Sequence, residues 1–196
     1  MKIAIDIDDT IFPTARGFIK YHNQKYKTSK KFKECKNLHA SKLFNLSFEE
    51  YIKRWREFTN TDDHNLMKPF PKSIEIIKKL KKNNELYIIT ARNNSMTKNT
   101  KQLIEKNFGK KFFKKIIHLD YKNDGKDQKH EVCKELKIKL IVDDSLETIL
   151  ACSKEKINCI LFNYRNTYNW NLYSKNNKYI QKASSWKEIE KKINVQ

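Results

Sequence analysis

Six short apolar runs, separated by helical patterns, constrain the fold of this 196-residue chain more than any other feature. Most of the runs are too continuous for a sheet with one exposed face, so we expect helices to cover both faces. Strands that alternate with helices indicate βαβ units with right-handed crossovers. The predicted strands are residues 2–7, 85–90, 115–119, 138–142, 157–162 and 178–181. The predicted fold is therefore α/β, with a mostly parallel sheet flanked by helices.

Four segments between the strands have the periodicity of helices. Residues 71–82 begin with Pro71 and repeat apolar side chains at helical spacing. Residues 97–107 end close to Gly109, a residue type that commonly terminates helices. The other two predicted helices are residues 127–137 and 144–155.

The connection between the first strand and the first of these helices is far longer than an ordinary loop. It is rich in aromatic and aliphatic residues, enough to form a small core of its own. Within it, Ser47 and Glu50 have the spacing of a capping box at a helix start. We therefore predict a helical cap at residues 13–71, inserted into an α/β core formed by residues 1–12 and 72–196.

The composition is that of a globular protein, with 38% hydrophobic and 12% aromatic residues. No apolar run approaches the roughly 20 residues of a membrane helix, and the first residues do not have the pattern of a signal peptide. The four cysteines form no CxxC pair, which disfavours a zinc site. We expect a cytoplasmic protein with reduced thiols and no membrane association.

The formal net charge of +19 comes almost entirely from lysines that are spread over the whole chain. Arginine occurs at only five positions, whereas specific nucleic-acid binders cluster their charge and use arginine forks. The distribution therefore argues against specific nucleic-acid binding. A positive field of this kind still attracts phosphorylated substrates.

The opening stretch MKIAIDIDDTIF places Asp6 and Asp8 at the end of the first predicted strand. Side chains two residues apart in a strand point to the same face of the sheet. Two carboxylates there repel each other unless a cation lies between them. Oxygen ligands without nearby His or paired Cys favour Mg²⁺ over zinc. The stretch therefore predicts a Mg²⁺ site at the edge where open α/β sheets bind ligands.

Later segments supply groups that could complete this site. Thr90 ends the second predicted strand, and the acidic pair Asp143 and Asp144 ends the fourth. A lysine-bearing helix start lies between these two strands in the sequence. Because the carboxyl ends of parallel strands share one edge, we expect these groups to converge on a metal ion and an anion.

The ordered motifs Asp-x-Asp-x-Thr, Thr, Lys and Asp-Asp, spread over residues 2–145, resemble those of the haloacid dehalogenase superfamily. This resemblance implies a Rossmann-like core and phosphoryl transfer with Mg²⁺ as cofactor. Asp6 would be the nucleophile that accepts the phosphoryl group. Asp8 would protonate the leaving oxygen and later activate water, which requires a raised pKa for the first step.

The same resemblance implies the groups that bind phosphate and metal. Thr90 would donate a hydrogen bond to the phosphate, and a lysine would neutralise it. Lys129 is favoured because of its spacing to Cys133, with Lys126 as the alternative. The metal ligands would be Asp6, Asp8, Asp143 and Asp144, with Asp144 ahead of Asp143.

Arg92 follows the second-strand motif directly and has two interpretations. It either contacts the phosphate or the leaving group, or it is a charged residue of a surface loop. We include it among the candidate phosphate-binding residues.

Residues 129–145 and the C-terminal part from residue 160 resemble the 5′(3′)-deoxyribonucleotidase-like branch of the superfamily. The resemblance implies a 5′-nucleotidase acting on nucleoside monophosphates. The alternatives are a phosphatase of sugar phosphates or other small metabolites, a nucleic-acid end phosphatase, and a phosphate-binding regulatory protein without turnover.

Aromatic residues of the cap region are candidates to stack on a base. Phe12, Phe18 and Phe44 are the first choices, with Tyr51 and Trp55 behind them. The helical spacing of the last two is explained more simply by the core of the cap.

Overall fold

A computed structural model describes residues 1–38, 40–119 and 128–194 and contains a six-stranded sheet in which every neighbouring pair is parallel. The order of the strands across the sheet is β3-β2-β1-β4-β5-β6. The strands are β1 (Lys2–Ile5), β2 (Glu85–Thr90), β3 (Lys115–His118), β4 (Leu140–Asp143), β5 (Asn158–Phe162) and β6 (Ile180–Ala183). The predicted parallel α/β sheet is therefore confirmed.

The centre of the sheet is β1, whose residues Ile3, Ala4 and Ile5 have no exposed surface. Ile3 and Ile5 face one apolar cluster, and Ala4 faces a second cluster on the other side of the sheet. Both faces are thus buried, which explains the continuous apolar runs in the sequence. The chain changes direction across the sheet between β1 and β4, at a topological switch point.

Helices flank the sheet on both faces and fill the connection after β1. They are α1 (Thr14–Tyr26), α2 (Phe48–Thr59), α3 (Asp62–Asn65), α4 (Ser73–Lys81), α5 (Thr97–Phe108), α6 (Lys129–Glu135), α7 (Leu146–Lys154) and α8 (Trp186–Asn194). The four helices predicted between strands are found as α4, α5, α6 and α7. Gly109 follows α5 with φ of 92°, a conformation that glycine adopts without steric cost.

The last strand begins two residues later than predicted, at Ile180 instead of residue 178. The Asn177 side chain accepts a hydrogen bond from the Tyr179 backbone N–H, and the Ile180 N–H donates to the Asn177 carbonyl. These bonds close a turn over the residues that were expected to start the strand. Local side-chain-to-backbone bonding therefore delays the strand.

The described part of residues 13–71 contains helices α1, α2 and α3, two short 3₁₀ turns and no strand. Its aromatic side chains form a separate apolar cluster around Phe18, which contacts Tyr51 and Phe58 at ring-centroid distances of 5.6 and 5.9 Å. Helix α2 begins as the capping pattern predicts, because Ser47 Oγ accepts a hydrogen bond from the Glu50 N–H at 3.2 Å. We call residues 13–71 the insert.

Within the described residues, none of the helices combines the length and the apolar character needed to cross a membrane. The four cysteines, all within the described residues, are buried and form no disulfide.

Candidate active site

Three carboxylates converge where β1 and β4 end. The Asp6 backbone N–H donates to the Val142 carbonyl at 3.0 Å, which extends the β1–β4 pairing to the site. Asp6, Asp143 and Asp144 each offer one oxygen that lies within 4.8 Å of the other two, and all three residues are buried. The convergence follows from parallel pairing, which brings the carboxyl ends of the two strands to one edge.

Lys129 lies among these carboxylates. It is the first residue of α6, and its Nζ is 2.8 Å from Asp6 Oδ1 and 2.7 Å from Asp143 Oδ2. The side chain is only 3% exposed, so its charge is barely screened by water. Lys126, the alternative motif lysine, lies outside the described residues.

The site carries more negative than positive charge. Burial raises the pKa of Asp6, the Lys129 ammonium opposes this, and the Asp143 and Asp8 carboxylates raise it further, to about 8. Burial and the neighbouring carboxylates also hold the pKa of Asp144 well above its usual range. A divalent cation would relieve this repulsion, and a buried set of carboxylate oxygens suits Mg²⁺. The residues present therefore fit the ion.

Asp8 forms a separate ion pair with Arg92. Arg92 donates two parallel hydrogen bonds to it, from Nε to Oδ2 at 2.9 Å and from Nη2 to Oδ1 at 2.7 Å. The Asp8 side chain is not part of the three-carboxylate group found among the described residues. Both of its carboxylate oxygens accept hydrogen bonds from the guanidinium, and the assignment of Asp8 as a metal ligand stays a prediction.

The pKa of Asp8 shifts in the direction opposite to the one expected for a leaving-group acid. Burial favours the protonated carboxyl, but the charge and hydrogen bonds of Arg92, with a hydrogen bond from Thr14, outweigh it and lower the pKa. Asp8 is thus ionised in this arrangement.

Arg92 is buried, with 1% of its side chain exposed, so the interpretation of this residue as a surface-loop charge is wrong. Besides the fork on Asp8, its Nη1 lies 3.4 Å from Thr100 Oγ1 and its Nη2 lies 3.1 Å from His64 Nε2. His64 belongs to α3 of the insert. The guanidinium therefore joins the core site to the insert.

Thr90 ends β2 in a fully buried position beside β1. Its hydroxyl accepts a hydrogen bond from the Arg92 backbone N–H at 3.3 Å. The described residues that line the cavity above the carboxylates do not include Thr90. Its assignment to phosphate binding stays a prediction.

Asp9, the third carboxylate of the opening stretch, has a structural role that sequence reasoning missed. Its backbone is left-handed, with φ of 52°, and both carboxylate oxygens accept from the Ala15 N–H at the start of α1. The Tyr168 hydroxyl donates to the Asp9 carbonyl at 2.8 Å. The sequence signal for this role was the residue type itself. Aspartate tolerates a left-handed backbone, and its short side chain accepts hydrogen bonds from nearby backbone N–H groups.

Trp170 is a second residue that the motifs did not indicate. Its Nε1–H donates to Asp144 Oδ2 at 2.9 Å, and the neighbouring Asn171 side chain donates to the Asp144 carbonyl at the same distance. Both residues come from the connection between β5 and β6. No sequence motif predicts that residues of this connection contact Asp144. The contact arises only because the fold brings the two segments together.

A cavity of about 180 Å³ opens above the carboxylates and is closed on one side by the insert. The carboxylates, Arg92 and Lys129 form its polar part. The insert contributes an apolar wall formed by Leu38, Ala40, Phe48, Tyr51, Ile52 and Trp55.

Three of the aromatic residues expected to stack on a base do not line this cavity. Phe12 and Phe18 are fully buried, in the main core and in the core of the insert. Phe44 stacks on His22 at a centroid distance of 3.7 Å instead. Tyr51 and Trp55 do line the cavity, and Phe48, which is 45% exposed, joins them.

Residues 3–162 match the family model of the haloacid dehalogenase-like hydrolases. The match covers most of the chain, from β1 to the end of β5, and includes all the acidic residues of the site. The chain therefore belongs to the haloacid dehalogenase-like hydrolase family. No curated protein matches it in sequence.

Solved structures with similar folds span the whole chain. A haloacid dehalogenase-like hydrolase family protein from Streptococcus pneumoniae is 17% identical, with a TM-score of 0.67 and coverage of 100% of this chain and 98% of the other. The HAD hydrolase YfnB from Bacillus subtilis, bound to magnesium, is 13% identical with a TM-score of 0.65, covering 98% of both chains. A predicted phosphoglycolate phosphatase from Haemophilus somnus is 15% identical with a TM-score of 0.63, covering 97% and 96%. These likenesses establish the fold, and the nucleotidase branch stays a prediction.

Proposed function

We propose that this hydrolase is a Mg²⁺-dependent phosphomonoesterase that works through an aspartyl-phosphate intermediate. The observation that carries the proposal is the buried contact of Asp6 with Lys129 beside the Asp143 and Asp144 carboxylates. A nucleophile for phosphorus must sit where the negative charge of the phosphoryl oxygens is neutralised. Lys129 provides such a charge directly next to the Asp6 oxygen.

In the first step, an Asp6 carboxylate oxygen attacks phosphorus and the bond from phosphorus to the ester oxygen breaks. The departing oxygen takes a proton from Asp8, and the phosphoryl group remains on Asp6 as an acyl phosphate. The negative charge of a bound phosphate favours the protonated form of Asp8 that this step requires. Lys129 stays beside the transferred group throughout.

In the second step, water attacks phosphorus and gives its proton to Asp8, and inorganic phosphate leaves the restored Asp6. The ionised state of Asp8 beside Arg92 suits this role as a base. Asp6, Asp143 and Asp144 would hold Mg²⁺, which stabilises the charge on phosphoryl oxygens when bound.

The insert supports a nucleoside monophosphate as substrate. Phe48, Tyr51 and Trp55 contribute aromatic surface to the same cavity that the charged groups line. A leaving group with a flat apolar face gains packing energy on such a wall, as a nucleobase would. We further propose that the insert acts as the cap that selects this leaving group.

A panel of phosphate esters, assayed with and without Mg²⁺, tests the reaction. It should contain nucleoside and deoxynucleoside monophosphates, sugar phosphates, phosphoglycolate and 5′-phosphorylated oligonucleotides. We expect Mg²⁺-dependent release of phosphate from nucleoside monophosphates and none from the Asp6→Asn variant. Turnover by Asp6→Asn at the parent rate would contradict the nucleophile assignment, and binding without any turnover would favour a regulatory protein.

A small-metabolite phosphatase is the second candidate, favoured by the structural likeness to the predicted phosphoglycolate phosphatase. The Phe48→Ala variant distinguishes the two candidates. We expect it to raise KM for nucleoside monophosphates about 10-fold through lost stacking, with little effect on phosphoglycolate. Leu66→Ala is a matched control, because this apolar side chain is 66% exposed and does not line the cavity.

An oligonucleotide end phosphatase would show a steep decrease in activity with salt, which the same panel measures. For location, we propose the cytoplasm, where thiols remain reduced, in agreement with four buried cysteines that form no disulfide.

A further inference from the structure

His64 is a buried residue of the insert that contacts a core residue of the site. Its side chain has no exposed surface, and its Nε2 lies 3.1 Å from Nη2 of Arg92. The same Nη2 lies 2.7 Å from Asp8 Oδ1. One nitrogen of the guanidinium therefore contacts both the insert and the carboxylate that we assign to proton transfer.

The chemistry of the guanidinium fixes the role of each His64 nitrogen. An arginine side chain has five N–H donors and no acceptor. Nε2 of His64 must therefore accept the hydrogen bond, and the ring proton is on Nδ1, which faces Asn65 Oδ1 at 3.3 Å. Burial and the charge of Arg92 lower the pKa of His64 to about 4, in agreement with a neutral ring.

Packing within the insert holds the His64 ring in place. Phe58 meets it edge to face at a centroid distance of 5.4 Å, and Thr61 caps the helix α3 by accepting from the His64 N–H. Helix α3 itself contacts α1 and α2 of the insert and α5 of the core. The position of the Nε2 acceptor is thus set by the Phe58 ring and by the packing of α3 against α1, α2 and α5.

We propose that His64 is a positioning residue that keeps the Arg92 fork, and through it Asp8, in the geometry required for proton transfer. This inference rests on the proposed function, in which Asp8 transfers the proton. Without the acceptor on His64, Nη2 can swing away from Asp8, and one of the two parallel hydrogen bonds becomes weaker. An error of about 1 Å in the position of a catalytic group can cost a factor of about 100 in rate.

Two conservative variants isolate the acceptor. His64→Gln can place an amide oxygen near the original Nε2, whereas His64→Asn is too short and reaches only the Nδ1 position. His22→Asn is the matched control, because His22 is also buried in the insert and its Nε2 contacts Arg54 Nη1 at 2.7 Å. That second pair does not reach the carboxylates, since Arg54 pairs with Glu50.

The experiment measures kcat and KM with para-nitrophenyl phosphate and Mg²⁺. We expect His64→Asn to lower kcat at least about 10-fold with KM within about 3-fold, because Asp8 acts on the chemical steps. His64→Gln should recover most of the lost kcat, and His22→Asn should retain the parent kcat. If His64→Asn does not fold, His64→Phe keeps the ring packing and removes the same acceptor.

A spectroscopic measurement separates this inference from the proposed function. The ¹⁵N–¹H signal of Arg92 Nε, assigned by its loss in Arg92→Lys, reports the fork on Asp8 without any turnover. It should move or broaden in His64→Asn and stay near its parent position in His64→Gln. An unchanged signal in His64→Asn, or a kcat loss of equal size in the Gln and Asn variants, would overturn the role of His64. A parent protein without turnover would instead refute only the proposed function.

Discussion

Lys129 Nζ lies 2.8 Å from Asp6 Oδ1, although the two residues are 123 positions apart in the chain. The contact is buried, and Lys129 also pairs with Asp143. It makes the lysine a structural counter-ion, in addition to the phosphate-binding role that we propose for it.

Replacing Lys129 by Met is therefore expected to destabilise the protein as well as to abolish turnover. Removing one partner of a buried ion pair leaves uncompensated carboxylates and typically costs about 3–5 kcal/mol. Urea unfolding at neutral pH without metal measures the change. Lys134→Met is the control on the same helix, because Lys134 pairs with Glu155 at the surface and should contribute little. Equal unfolding midpoints for the two variants would argue against a structural role for Lys129.

Mg²⁺ is expected to raise the thermal unfolding temperature of the protein. A ligand that binds only the folded state at 100 times its dissociation constant stabilises by about 2.7 kcal/mol. Asp144→Asn should lose most of this stabilisation, because it removes one of the three clustered oxygens. Asp63→Asn, which changes an exposed carboxylate of α3, should keep all of it. A Mg²⁺-induced shift of equal size in both variants would contradict the proposed ligand set.

Trp170 should report metal binding directly, since its indole N–H donates to Asp144 Oδ2. We expect Mg²⁺ to change the tryptophan fluorescence of the parent protein, and Trp170→Phe to lose that change. The variant should also bind Mg²⁺ about 10-fold more weakly, as is typical when a partner of a metal ligand is removed. Trp55→Phe should retain the fluorescence response, and a loss in that variant instead would refute the assignment.

His22 is expected to make stability depend on pH below neutrality. Burial, together with the charge of Arg54, lowers its pKa to about 4, compared with about 6.5 in the unfolded chain. Between these values the unfolded state binds a proton that the folded state does not. The contribution of His22 is therefore fully present above about pH 6.5 and is lost as the pH falls towards 4. Urea midpoints between pH 7 and 4 should decrease less in His22→Gln than in the parent, and parallel curves would contradict the prediction.

Much of the site could be predicted from the sequence because strand ends obey simple rules. Asp6, Thr90, Asp143 and Asp144 each follow a recognisable apolar run, so parallel pairing alone places them at one edge. A lysine at the next helix start was also predicted, and its spacing to Cys133 favoured Lys129 over Lys126. The sequence thus indicated which edge of the sheet carries the site and which types of residue lie there.

The environment of Arg92 could not be predicted in the same way. Its burial depends on His64, from a helix of four residues in the insert, and on Thr100, from α5. The donor to Asp144 likewise comes from Trp170, in an irregular connection. Irregular segments have no periodicity to indicate which side chain they deliver to a site.

The wall of the cavity was predicted only in part. The helical spacing of Tyr51 and Trp55 predicted a helix that packs on the core of the insert. In the structure the two side chains contact that core and also line the cavity. The fully buried Phe12 shows that an aromatic residue near an active-site motif need not reach the substrate.

The carboxylates that would hold Mg²⁺ come from both halves of the chain, at positions 6, 143 and 144, and their indole partner comes from position 170. During synthesis, a growing chain therefore exposes its first acidic motif long before the rest of the ion site has left the ribosome. The proposed Mg²⁺ could bind only after β4 has assembled beside β1, which would make ion binding a late step in the biogenesis of the protein.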